Sequence, residues 1–163
     1  MGMALDQVEP RILEDNLALA RRFIEEVLDG KNPNAFDELV ADDITVSTVL
    51  KPNGRIEGKA EYVQVLSQTV SGKFTNRQLI VEEVTPLIDG RVLARLRAEA
   101  THVGEIFGIP ATNRRLTMHE LHVMRFRHGK LAELLVAGLN PLEFEMLFAP
   151  AIAKIVLGGD PSP

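Results

Sequence analysis

Residues 77–137, RQLIVEEVTPLIDGRVLARLRAEATHVGEIFGIPATNRRLTMHELHVMRFRHGKLAELLVA, carry most of the architectural information. Apolar and polar side chains alternate with a period of two, which predicts extended segments over 77–88, 91–105, 114–127 and 130–137. Asp89-Gly90 and His128-Gly129 each supply a two-residue hairpin turn, since glycine accepts the positive φ such turns require. Four consecutive antiparallel strands follow. Alternation puts Val92, Ala94, Leu96, Ala98, Ala100 and His102 on one face of the second segment, the face expected to be buried. On the third, Leu116, Met118, Glu120, His122, Met124 and Phe126 share a face opposite Thr117, His119, Leu121, Val123 and Arg125.

Upstream the period lengthens. Leu13, Leu17, Ala20, Ile24, Val27 and Leu28 recur at helical spacing before Asp29-Gly30, predicting an amphipathic helix over 13–28. Asn32-Pro33-Asn34 introduces a short helix over 35–40. Residues 44–50, the turn Pro52-Asn53-Gly54, and Arg55-Ile56 read as a short hairpin. Tyr62, Val63, Leu66 and Val70 mark a third helix between Gly58 and Ser71-Gly72. Downstream, Asn140-Pro141-Leu142-Glu143 has the residues of a helix start, with Asn140 as N-cap, and opens a helix toward Phe148. Residues 1–12 and 158–163 are expected to be loose termini of one domain spanning 1–163. Helices first and a meander afterwards is an α+β order. A long curved sheet wrapped around the early helices leaves an open-ended cavity, a place for a small molecule.

Composition narrows the function. A chain of 163 residues, 45% hydrophobic and 25% charged, suits one globular core. With a net charge of −5 and scattered basic residues, nucleic acid is not an expected partner. No stretch has the apolar length of a membrane span, so no membrane is expected either. The absence of cysteine excludes disulfides and thiolate chemistry and suits a cytoplasmic location. There is no tryptophan and one tyrosine, Tyr62, which makes a stacking platform for sugars or bases improbable. Neither a metal-ligand cluster nor a phosphate-cradling glycine loop is present, so no metal and no cofactor are expected.

Three stretches resemble the SnoaL-like polyketide cyclases of the NTF2-like superfamily: residues 101–113 (THVGEIFGIPATN), residues 125–133 (RFRHGKLAE), and the long-helix, short-helix, Asp42-Asp43 order near the start. The resemblance covers most of 13–148. It implies an α+β cone in which a curved antiparallel sheet wraps around N-terminal helices, with a small-molecule pocket inside. Two positions depart from the family pattern. Asn113 stands where a turn glycine is usual, which is tolerable because asparagine also visits the left-handed region. Family members have an aspartate, credited as the acid/base of cyclisation, six residues after the glutamate that is Glu133 here; this chain has Leu139 there and Asn140 next to it. Neither transfers a proton.

The acid/base role therefore lies with other residues or is absent. His102 ends an apolar row, where burial favours the neutral imidazole a general base needs. Both faces of the third segment are mixed; if the Met118–Met124 face lines the cone, Glu120 and His122 are polar groups among apolar walls, the composition of a ligand pocket. The structural alternative for Glu120 is an ion pair with Arg95 or Arg97. His119 and His122 point to opposite faces of a strand, which argues against a metal pair. Arg97 and Glu99 resemble part of an epoxide hydrolase set, without its remaining acid. Tyr62 lies on the apolar stripe of its helix, where core packing competes with an oxyanion-donor role.

The expected function is cofactor-independent proton transfer, of cyclase or isomerase type, on a hydrophobic carbonyl-bearing small molecule. His102 is the expected base, Glu120 its acid/base partner, and His122 or Asn140 a donor to substrate oxygen, with Met118, Met124 and Tyr62 contacting substrate. The alternative is a non-catalytic binding protein that has lost the aspartate. A homodimer is expected because the outward residues Leu93, Leu121 and Val123, with Phe144, Leu147, Phe148, Ile152 and Ile155, carry more apolar surface than a monomer exposes.

Overall fold

The computed structural model describes residues 8–51, 53–106 and 108–140. The expected C-terminal helix, the dimer residues 144–155 and the tail 158–163 lie outside them.

Helix α1 (Pro10–Arg22) starts on a proline, whose fixed φ suits the first helical turn, three residues before the apolar stripe begins. Its last turn carries Arg21 and Arg22, and Arg22 pairs with Glu26 at 2.8 Å and Glu38 at 2.9 Å. The chain then widens into a π-helical stretch, Phe23–Leu28, closed by the Asp29 N–H donating to the Ile24 carbonyl at 3.0 Å. Phe23 and Ile24 in this stretch are completely buried. Helix α2 (Ala35–Leu39) runs directly into β1 (Val40–Ser47), which pairs antiparallel with β2 (Arg55–Glu57). Helix α3 (Lys59–Thr69) buries Tyr62, Val65 and Thr69, one stripe of its surface.

The meander forms as β3 (Phe74–Pro86), β4 (Val92–His102), β5 (Arg115–Arg127) and β6 (Lys130–Gly138), each antiparallel to the next. The six strands make one curved sheet in the order β2-β1-β6-β5-β4-β3. Its β1–β6 pairing is parallel and joins distant parts of the chain, which local periodicity does not reveal.

The two hairpin turns differ. At His128-Gly129, both residues have positive φ and Arg127 pairs with Lys130, a two-residue loop as expected. At Asp89-Gly90, the Leu87 N–H donates to the Arg91 carbonyl at 2.7 Å, so the loop holds three residues, 88–90, rather than two. Strand β4 ends at His102 instead of reaching Glu105. The Val103 and Gly104 N–H groups both turn onto the Lys73 carbonyl, and a Cβ on Gly104 would sit 2.9 Å from the Gly72 carbonyl oxygen. Only glycine fits that approach.

The core lies between the inner face of the sheet and the helices. Val92, Ala94, Leu96, Met124 and Leu134 meet Phe23, Ile24, Leu39 and Tyr62 there. A smaller cluster of Ile106, Ile109 and Leu116, with Phe74 against it, lies under the 103–113 loop. Among the described residues no helix is long and apolar enough to cross a membrane.

Candidate functional site

The inner face of β5 is the one carrying Met118, Glu120, His122 and Met124. Across β4, Glu120 is opposite Leu96 and His122 opposite Ala94, both residues of the buried row. Residues two apart on a strand project to the same side, and Glu120 Oε2 lies 2.9 Å from His122 Nε2. His122 is 3% exposed and its Nδ1 is buried with no partner among the described residues, whereas the Glu120 side chain keeps 26% of its surface. The carboxylate is thus the accessible member of the pair and the imidazole its buried support. The pattern Glu-x-His within a predicted strand was the signal for this contact.

The alternative partners of Glu120 are engaged elsewhere. Arg95 and Arg97 are on the opposite face, where Arg95 meets Glu82 at 3.4 Å and Arg97 pairs with Glu99, which also takes Arg115 at 2.8 Å. Arg97 and Glu99 therefore belong to an ionic network on the outside of the sheet. His119 is on that side too, away from His122. Among the described residues, no group of three or more His, Cys, Asp or Glu side chains is placed to hold a metal.

Tyr62 reaches the inner face from α3, packed against Phe36 at a ring-centroid distance of 5.6 Å. Burial raises its ionisation well above the usual phenol range, and the charge of Glu120 raises it further. Tyr62 therefore keeps its O–H, within the field of the Glu120 charge. Because the folded-state pKa is raised, this contribution to stability is complete below the unfolded value near pH ~10 and is lost as pH rises above it. With one tyrosine and no tryptophan, the phenolate absorbance reports Tyr62 alone. It is expected to appear only together with loss of the circular-dichroism signal; a midpoint near pH ~10 in folded protein would contradict the burial.

His102 is completely buried, but at the far end of β4. Glu120 is opposite Leu96, six residues back along the strand, which is about 20 Å at ~3.3 Å per residue. The structure thus brings Glu120 together with His122, with Tyr62 in the field of their carboxylate, and leaves His102 apart. His102 Nδ1 accepts the Thr112 N–H at 3.3 Å and lies 3.0 Å from Thr112 Oγ1, while its backbone bonds Arg114 and Asn113. Its ring packs on Phe74 at 5.8 Å, and its Nε2 is buried with no partner among the described residues. The role of Thr112 had no signature in the sequence.

Asn140 follows the end of β6. Leu139 donates its N–H to the His119 carbonyl at 2.7 Å. The His119 N–H goes to Asn140 Oδ1 and the Asn140 Nδ2 donates to the Thr117 carbonyl, both at 2.7 Å. The amide carries the ladder one step past the strand, and both its polar atoms are bonded to β5. Met118 is half-buried on the inner face, and Met124 is wholly inside the core. On the outer face a depression of about 430 Å³ is lined by Thr45, Ser47, Arg55, Arg91, Val123, Arg125, Glu133, Leu134 and Leu135.

The model of the SnoaL-like polyketide cyclases matches residues 18–135, most of the chain. The chain belongs to that family. Solved structures agree on the fold. A protein from a Jannaschia species described as a SnoaL-like polyketide cyclase superposes with a TM-score of 0.74 at 16% identity, covering 88% of this chain and 99% of that one. IdmH from Streptomyces antibioticus, described as a polyketide cyclase, gives 0.64 at 21% identity over 80% and 96%. An LEH-like epoxide hydrolase from M. tuberculosis gives 0.61 at 14% identity over 88% and 97%. At such identities the likeness speaks for the SnoaL-like fold alone. No curated protein matches the chain in sequence.

Proposed function

We propose that this SnoaL-like chain is an enzyme that moves a proton on a hydrophobic, carbonyl-bearing small molecule without a cofactor. The observation that carries this is the Glu120–His122 pair, an accessible carboxylate held at 2.9 Å by a buried imidazole on the inner face. The His122 Nε2–H donates to Oε2 and fixes the carboxylate, so the other oxygen can take a proton from the carbon next to a substrate carbonyl. The oxygen of the resulting enolate would accept the Tyr62 O–H. Returning the proton to a different carbon gives isomerisation; attack of the enolate on a second carbonyl of the same molecule, whose oxygen then takes the proton, gives ring closure. Met118 supplies apolar wall. Relative to the sequence-based expectation, Glu120 takes the role of base and His122 that of positioning residue.

The test uses 1-tetralone, a ketone with acidic α-protons. Proton magnetic resonance in deuterated buffer should show exchange at the α-carbon above the buffer rate. The non-catalytic reading draws on Asn140, whose amide replaces the family aspartate and is bonded on both sides to β5. Binding of 1-tetralone without any exchange would establish that reading in place of ours.

The cysteine-free chain suits a reducing cytoplasm. A homodimer through the outer face is also part of the proposal. Leu135 is 43% exposed beside Val123 on this face, apolar surface that a second copy would cover. Sedimentation at micromolar concentration should give about twice the 18.0 kDa chain mass, and a monomer would remove this claim.

A further inference from the structure

The outer depression of about 430 Å³ lies on the side of the sheet away from Glu120, and cross-strand register orders the side chains that line it. Arg55, Ser47, Leu135 and Val123 follow one another across β2, β1, β6 and β5, and Thr45, Glu133 and Arg125 run beside them. Arg91, one step beyond the Val92–Met124 pair, extends the second row next to Arg125. Arg55 thus stands at one end and Arg91 with Arg125 at the other, three to four strand spacings away, or about 14–19 Å. Leu135 and Val123 form the floor between them.

Like charges side by side on a sheet repel, and carboxylates hold these in place. Asp89 takes Arg91 at 2.7 Å and stands 3.8 Å from Arg125, Glu133 takes Arg125 at 3.2 Å, and Glu57 takes Arg55 at 2.8 Å. All three hydrogen bonds go through Nε. An arginine spent wholly on carboxylates presents its Nη atoms to them as well, as Arg22 does to Glu26 and Glu38. Among the described residues the Nη atoms of Arg55, Arg91 and Arg125 make no hydrogen bond, nor do the Thr45 and Ser47 hydroxyls. The depression is therefore lined with directed donors that the fold itself does not use.

We infer that the depression is a ligand site of its own, for an aromatic monocarboxylate whose ring lies on Leu135 and Val123 and whose carboxylate takes the Nη donors of Arg91 and Arg125. The site is independent of the Glu120 face. Its volume falls in the range of about 300–1,000 Å³ usual for small-molecule sites. The charge balance sets the ligand's charge: three guanidiniums are matched by Asp89, Glu57 and Glu133, so donors rather than a net positive field attract it. A polyanion such as phosphate would meet Asp89 and Glu133 and leave the apolar floor uncovered. The proposed dimer would cover the same Leu135 and Val123, so ligand and second copy exclude each other.

The test is a magnetic-resonance titration of the full chain with 2-naphthoate, 2-naphthalenemethanol and inorganic phosphate. With 2-naphthoate the methyl signals of Leu135 and Val123 should shift while that of Met118 stays, and the alcohol and phosphate should bind at least about tenfold more weakly. Arg125→Gln should weaken 2-naphthoate by about tenfold or more, and Arg125→Lys nearly as much, since lysine keeps the charge without the planar fork. Arg95→Gln, on the same face but outside the depression, should stay within about twofold. If Arg125→Gln unfolds, Arg91→Gln at the same end carries the same expectation. Absence of binding at millimolar 2-naphthoate, equal affinity for the alcohol, or unchanged affinity in the arginine variants overturns the inference. Shifts at Met118 in place of Leu135 overturn it too, and leave the reading of the inner face standing. Protein saturated at Leu135 that still sediments as a dimer retires the proposed dimer face and leaves the carboxylate site in place.

Discussion

Glu120→Gln is expected to lower α-proton exchange on 1-tetralone by about 10²- to 10⁴-fold, the usual contribution of a positioned general base. The substitution is nearly isosteric. Its amide oxygen can still accept the His122 Nε2–H, so the 2.9 Å contact on the inner face is preserved while the proton acceptor is lost. Glu120 keeps a quarter of its side-chain surface and has no arginine partner among the described residues, so little folding energy depends on its charge. Stability should therefore move by no more than about 0.5 kcal/mol, as for most substitutions outside a packed core. Rate loss without unfolding is the signature to look for. Unchanged exchange would return the search to another residue. A large fall in unfolding temperature would show instead that the carboxylate is structural. His122→Gln should act less strongly through the same route, because it supports the carboxylate rather than meeting the substrate.

Much of the fold was legible because it rests on local rules. Alternation in 91–105 named the inner face of β4, whereas both faces of 114–127 are mixed and alternation alone left open which one lines the cone; the Asp-Gly and His-Gly turns ordered the meander. What escaped was non-local. The parallel pairing of Val46 with Leu134 joins residues far apart in sequence, and no period announces it. The same limit explains the site. Periodicity put Glu120 and His122 on one face and Tyr62 on an apolar helix stripe, but their meeting depends on how α3 lies across the sheet. It also put His102 on the inner face of one strand and Glu120 on the Met-rich face of the next, which suggested a working pair. The antiparallel register, with Leu96 opposite Glu120, separates them along the strand. A shared face is a statement about direction; only register gives distance.

His102→Ala is expected to damage the fold far more than the chemistry. The Thr112 backbone N–H can only donate, so its bond to Nδ1 makes that atom an acceptor and places the hydrogen of the neutral ring on Nε2, which is buried. The one lone pair a base could offer is already in use. Removing the ring would leave a cavity beside Phe74 and strip Thr112 of its partner, at the point where the 103–113 loop joins the sheet. Large-to-small changes of this kind cost about 2–4 kcal/mol, or roughly 5–12 °C in unfolding temperature for a chain of this size. Thr112→Val, which removes the hydroxyl while keeping the backbone donor, should cost only about 0.5–1.5 kcal/mol. Measured below the unfolding transition, exchange on 1-tetralone should stay within about threefold of wild type in both variants, against the 10²-fold or greater loss assigned to Glu120. The opposite pattern, with exchange abolished and thermal stability intact in His102→Ala, would make His102 the base and require the 103–113 loop to open in every turnover, since Thr112 would have to release Nδ1 before a substrate proton could arrive there.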